Sequence, residues 1–177
     1  MENIEALSRR NIYQQQPFLC GLSCISASFE IIRKTFAPDA ATISSRIAKL
    51  KINTKSDPIR LEELAVAASS LGLVEKILKL TESNIGKRRP DLIVAKIKWR
   101  EFDAVMRLKR NFSELEMEEE HYLIIMGKTG TDCHIWEPSF SGKSQSPWLL
   151  MSWKDVARGN QNLQYRNESG FGLYLYK

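Results

Sequence analysis

A chain of 177 residues, 43% hydrophobic and 27% charged, has the length of one compact domain and a globular composition, which excludes disordered and fibrous classes. Its 26 Lys and Arg against 21 Asp and Glu leave a charge of +5, too mild an excess to require a nucleic-acid partner. No window approaches the ~18 consecutive apolar residues of a membrane span, and Met1 to Ala6 lack the basic-then-apolar pattern of a signal peptide.

The first third reads as helical. From Leu22 onward Ile25, Phe29, Ile32 and Phe36 recur at helical spacing with Ser, Glu and Lys between them, which predicts an amphipathic stripe. Pro38-Asp39 interrupts it, and Ala41 to Leu50 predicts a short second helix with Ile43, Ile47 and Leu50 on one face. A third begins at Pro58, carries Leu61, Leu64, Ala65, Ala68 and Leu71, and ends at Gly72 as C-cap.

After Gly72 the period changes to short runs rich in Val, Ile, Leu and aromatics. They are Leu73 to Leu80, Leu92 to Trp99, His121 to Met126, Cys133 to Trp136 and Phe171 to Tyr176. Helices followed by strands predict an α+β fold rather than alternating βαβ units. The expectation is one domain over residues 1–177, with a helical lobe to about residue 72 and a sheet lobe after it. Arg100 to Glu120 reads as a solvated surface segment, with a substrate-contacting lid as the alternative. The basic stretches Lys87-Arg88-Arg89 and Arg107 to Arg110 are short and lack interleaved aromatics, so no nucleic acid is expected.

Three cysteines cannot all pair with one another, and nothing places the chain in an oxidising compartment, so a reducing, cytoplasmic setting is expected, with non-classical export as the open alternative. Cys20 stands where the first helix begins. A thiol there sits beside unpaired backbone N–H groups and the positive end of the helix dipole, which favours the thiolate. Gly21 leaves the first turn without a side chain, so another backbone or a substrate can approach. A cysteine at a helix start is also a common packing residue, so the position alone assigns no function. Cys24, one turn on, joins the buried stripe as a small core residue. A metal site would need Cys133-His134 to complete it, and neighbours on a strand point to opposite faces; neither metal nor cofactor is expected.

With two histidines in the chain, imidazole chemistry must use His121 or His134. His121 to Gly127 and Thr131 to Glu137 read as a hairpin joined by Lys128-Thr129-Gly130, a three-residue loop with Gly at its left-handed position. That loop pairs Gly127 with Thr131 and, further out, His121 with Glu137. Cross-strand partners share a face with Cβ atoms roughly 4.5–5.5 Å apart, close enough for a carboxylate to orient an imidazole. His134 falls on the face opposite Glu137 and reads as a partly buried strand histidine with no catalytic duty. A cysteine nucleophile also needs an oxyanion hole. Gln14 to Gln16 offer three amides just upstream, and spacing does not choose among them.

The order of these residues resembles the papain-like bacteriocin-processing cysteine peptidases, which remove leader peptides after a double glycine and often front peptide-exporting ABC transporters. That family places a Gln six residues before its Cys, a position held here by Gln14. It has Cys-Gly, here Cys20-Gly21, and commonly a second Cys four residues on, here Cys24. Its His opens a hydrophobic strand, matched by His121-Tyr122-Leu123-Ile124-Ile125, and its acid precedes a Pro, matched by Glu137-Pro138. The likeness spans roughly Ile12 to Gly159. Glu137 stands where the family has Asp, one methylene longer, which implies a compensating backbone shift. Arg100 to Glu120 is longer than the family's usual link, and 177 residues leave no room for transporter segments, so a stand-alone enzyme or recruited domain is expected.

The resemblance implies a papain-like α+β fold with a helical lobe on an antiparallel sheet. It also implies a thiol hydrolase that cleaves a peptide or isopeptide bond, with Cys20 as nucleophile, His121 as proton partner, Glu137 holding the ring, and Gln14 with the Cys20 N–H holding the oxyanion. Two alternatives remain open: the same thioester chemistry used for deamidation or acyl transfer, and a silent peptidase-like binding module.

Overall fold

The computed structural model describes residues 20–48, 59–85, 92–98, 120–138, 148–163 and 168–176. Gln14 to Gln16, the basic stretches at 87–89 and 107–110, and residues 100–119 of the inserted segment lie outside them. Three helices come first: α1 (Cys20–Arg33), α2 (Ala40–Ala48) and α3 (Leu61–Ser70). Then follow β1 (Val74–Lys79), a 3-10 turn at Glu82–Asn84, β2 (Leu92–Lys98), β3 (Glu120–Thr129), β4 (Asp132–Trp136), β5 (Trp148–Ser152), α4 (Trp153–Gln161) and β6 (Phe171–Tyr176). The strands form one six-stranded sheet in the order β1-β6-β2-β3-β4-β5, antiparallel at every pairing. This is the mixed α+β arrangement the sequence predicts.

α1 departs from the expected stripe. Ser23, Ser26, Ser28 and Glu30, expected on an exposed polar face, are buried along with Leu22, Cys24, Ile25 and Ile32. A helix enclosed on nearly all sides is central rather than amphipathic, and its small side chains let the neighbouring elements approach. The helix stops at Arg33, followed by Lys34 with φ 55. Phe36, expected in the stripe, therefore falls outside the helix and is 68% exposed. Buried Glu30 stays close to the chain that follows: its Oε1 accepts from the Ala37 N–H at 3.0 Å, while Ser26 Oγ donates to the Pro38 carbonyl at 2.7 Å. α3 closes as its sequence predicts. Gly72 (φ 74) donates to the Ser69 carbonyl and Leu73 to that of Ala68, the paired bonds of a Schellman cap.

The sheet is covered on both sides. Leu92, Val94, Tyr122, Ile124, Trp136, Leu173 and Leu175 pack against α1, α2 and α3. Ile93, Ala95, Ile97, Leu123, Ile125, Cys133, Ile135 and Tyr174 form a second core with Met151 and with Val156 of α4. Alternating residues of one strand thus reach opposite cores, which is why β2 reads as an almost unbroken apolar run. β5 and α4 carried no expectation from the sequence. The signal for α4 is Ser152, whose hydroxyl caps the helix by accepting from the Asp155 N–H at 3.2 Å, with the acid three residues after the cap. Among the described residues no helix is long and apolar enough to cross a membrane.

Candidate active site

The hairpin differs from its predicted register. Thr129 pairs with Asp132, Lys128 with Cys133 and Gly127 with His134, so the turn is the two residues Gly130-Thr131, not Lys128-Thr129-Gly130. Between Gly127 and Ile125 the ladder shifts, and Ile125 then pairs with Ile135 and Ile124 with Trp136. Met126 is the extra residue of a β-bulge. Without it a two-residue hairpin would set Glu137 beside Ile124 and turn its side chain away from the face of His121. With the bulge, the register continues to place Glu137 beside Leu123, and His121 is its diagonal neighbour on the same face. Diagonal pairs stand ~7–8 Å apart, against ~5 Å for direct ones, a span for which the extra methylene of Glu over Asp is suited. The two side chains do meet: His121 Nε2 and Glu137 Oε1 are 2.5 Å apart.

Cys20 opens α1, as its sequence predicts, and the thiol shares a hydrogen bond with the His121 ring. With Nε2 committed to Glu137, Nδ1 is the ring nitrogen left for the sulfur. The β3–β4 ladder stops at the Ile124–Trp136 pair, and the Tyr122 N–H beyond it serves Cys20 instead. The Gly21 N–H is a second backbone donor. Gly21 is required at its position by close approach: a Cβ there would lie 3.0 Å from both Leu64 methyls and from Cδ2 of Tyr122.

Burial works against charge at each of these groups, and the neighbours outweigh it. Desolvation alone would raise the Cys20 thiol, but the charge and hydrogen bond of His121, with the two backbone N–H groups, bring it below its ordinary value. Desolvation alone would lower the His121 imidazole, but Cys20 and Glu137 raise it to about 10. Each of the two groups therefore favours the charged form of the other. His121 and Cys20 are 8% and 9% exposed and Glu137 is fully buried, so water screens these charges little.

The other candidates separate cleanly. Cys24 is fully buried, and desolvation, followed by the nearby Cys20 and Glu137 charges, pushes its thiol well up; it is the core residue expected. Cys133, also buried, is raised to about 11, chiefly by desolvation. All three thiols are free. His134 lies on the hairpin tip, exposed rather than partly buried as expected, 2.8 Å from Thr129 Oγ1. Gln14 lies outside the described residues. Among the described residues no group of three or more His, Cys, Asp or Glu side chains is arranged to hold a metal ion.

A cluster absent from the sequence reading adjoins the site. Lys96 is 1% exposed, its Nζ 2.5 Å from Glu168 Oε2 and 4.9 Å from the centroid of the Tyr122 ring. The signal was available: a lysine in the middle of the apolar run Leu92 to Ile97 must find a partner if the strand is buried on both faces.

Solved structures of double-glycine peptidase domains share this mixed α+β architecture. The peptidase domain of Streptococcus ComA, a bi-functional ABC transporter of a quorum-sensing pathway, superposes with a TM-score of 0.60 at 13% identity, covering 93% of this chain and 95% of that one. A chain described as C39-like peptidase, from Bacillus anthracis, gives 0.61 at 12% identity, covering 97% and 96%. A double-glycine-motif protease from an AMS/PCAT transporter, in complex with a leader peptide, gives 0.55 at 13%, covering 92% and 87%. No family model and no curated protein sequence matches this chain; the likeness is one of fold.

Proposed function

We propose that this chain is a cysteine peptidase, one domain in extent, that hydrolyses peptide or isopeptide bonds with Cys20 as nucleophile. The observation that carries the reading is the unbroken run from thiol to imidazole to carboxylate, buried at the start of a helix. A thiolate so placed attacks the substrate carbonyl carbon, and the C–S bond forms as the carbonyl electrons move to oxygen. The Cys20 backbone N–H and the Gln14 amide hold that oxyanion. Collapse breaks the C–N bond as His121 gives its proton to the leaving amine, which leaves a thioester. His121 then takes a proton from water, whose oxygen displaces the sulfur and releases the acid. Glu137 keeps the ring oriented and favours its charged form.

A peptide substrate is supported by the fold shared with a double-glycine protease bound to a leader peptide. Incubation with a library of unstructured peptides, read by mass spectrometry, tests the reading. Chain cleavage by the wild type, absent in a folded Cys20→Ala variant, is expected. A mass gain on Gln or an amine conjugate in place of cleavage would overturn hydrolysis, and cleavage undiminished in Cys20→Ala would overturn the assignment of the nucleophile.

A further inference from the structure

The site is assembled across two elements far apart in sequence, so something must hold the start of α1 against the start of β3. Gly21 rests on the Tyr122 ring, and the Tyr122 N–H reaches the Cys20 sulfur, so the placement of Tyr122 sets that of the thiolate. The ring is itself fixed on two sides. Its hydroxyl donates to the Ile59 carbonyl at 2.8 Å, and Lys96, its register partner on β2, holds an ammonium over its face. Lys96 is held in turn by Glu168, whose other oxygen accepts from the Leu61 N–H at 2.7 Å, where α3 begins. Glu120 Oε2 stands 3.8 Å from the same ammonium. Lys96, Tyr122 and Glu168 are each 2% exposed or less.

A buried ion pair is a poor source of stability, since apolar residues of similar volume often replace one without loss. Its use here is geometric. We propose that the Lys96–Glu168 pair is a positioning device for the peptidase site: by fixing the Tyr122 ring it holds the Tyr122 N–H and Gly21 against Cys20 and so keeps the sulfur in place beside His121. The inference rests on the peptidase reading of Cys20 and His121. Around the sulfur the titratable groups are His121 from β3, Glu137 beyond β4 and Cys24 from α1. Around Tyr122 they are Lys96 from β2, Glu168, Glu120 and Glu62.

The test is the pH dependence of Cys20 alkylation by iodoacetamide in the full chain, beside thermal melting. A double variant, Lys96→Met with Glu168→Gln, removes both charges and keeps an acceptor for the Leu61 N–H. It is expected to melt near the wild type, while the low-pH limb of its alkylation profile moves up by about one unit, close to a tenfold loss of rate at pH 6. Alkylation above pH 9, where the thiol ionises in either protein, should change less than about twofold. Tyr122→Phe removes the hydroxyl anchor alone and should move the limb the same way by a smaller amount, so the test stands even where the double variant does not fold. A profile from either folded variant that superposes on the wild type overturns the positioning role. A wild type with no low-pH reactivity at Cys20 overturns the peptidase reading itself, so the two failures are distinct.

Discussion

At the tip of the β3–β4 hairpin, His134 shares a hydrogen bond with Thr129 in contact with water. At its base His121 lies between a thiol and a carboxylate with almost no water. The strands, the residue type and the spacing rules are the same at both ends, so the difference comes from what covers each end. Two unit charges 4 Å apart attract by ~1 kcal/mol in water and ~4 kcal/mol at the effective dielectric of a protein site. Only the covered end can sustain a thiolate and an imidazolium side by side. The bulge at Met126 separates the two registers and brings Glu137 to the face of His121.

The sharpest way to break this contrast is His121→Ala, which leaves Cys20 without its proton partner. Turnover should fall by about 10³-fold or more, and alkylation of Cys20 at pH 6 should fall with it. Glu137→Gln is expected to cost less, about 10–100-fold in kcat/KM, with a characteristic pH signature. Since the Glu137 carboxylate is one of the two anions raising His121, its loss lowers that group, and the high-pH limb of the rate profile should move down from near 10. A limb that stays in place would mean that Cys20 alone sets the imidazole. Cys24→Val should leave the alkylation profile of Cys20 unchanged while altering stability by about 1 kcal/mol, because one small buried side chain replaces another. His134→Ala should do least: within about 0.5 kcal/mol in stability and twofold in turnover, as for an exposed site. A large loss there would erase the distinction between tip and base.

Much of this was legible in the sequence. Helical spacing located α1, α2 and α3, and the apolar runs located five of the six strands. The helix-start position of Cys20 and the parity of His121 with Glu137 selected the residues that meet. Their direct opposition was not correct, because a turn of two residues and a bulge give Glu137 the same parity as a turn of three. Nothing local to Met126 distinguishes those solutions; the ladder's fit to the two cores decides between them. Phe36 was misplaced because the helix ends at Arg33 on tertiary grounds, and the serines of α1 were misread because only packing reveals that a helix is enclosed on nearly all sides. Lys96 and Glu168 are 72 residues apart, beyond the reach of any local pattern.

The position of β6 bears on how the protein is made. Phe171–Tyr176 lies between β1 and β2 and, among the described residues, is the only strand that β1 joins. Glu168, just before it, closes the pair with Lys96. Synthesis runs from the N-terminus, so the ribosome releases Cys20, His121 and Glu137 well before the strand that completes the sheet beneath them. Until then β1 has no ladder to enter and Lys96 lacks its carboxylate at Glu168. A nascent chain built in this order completes the surroundings of Cys20 and His121 last, once Phe171–Tyr176 has entered the sheet between β1 and β2.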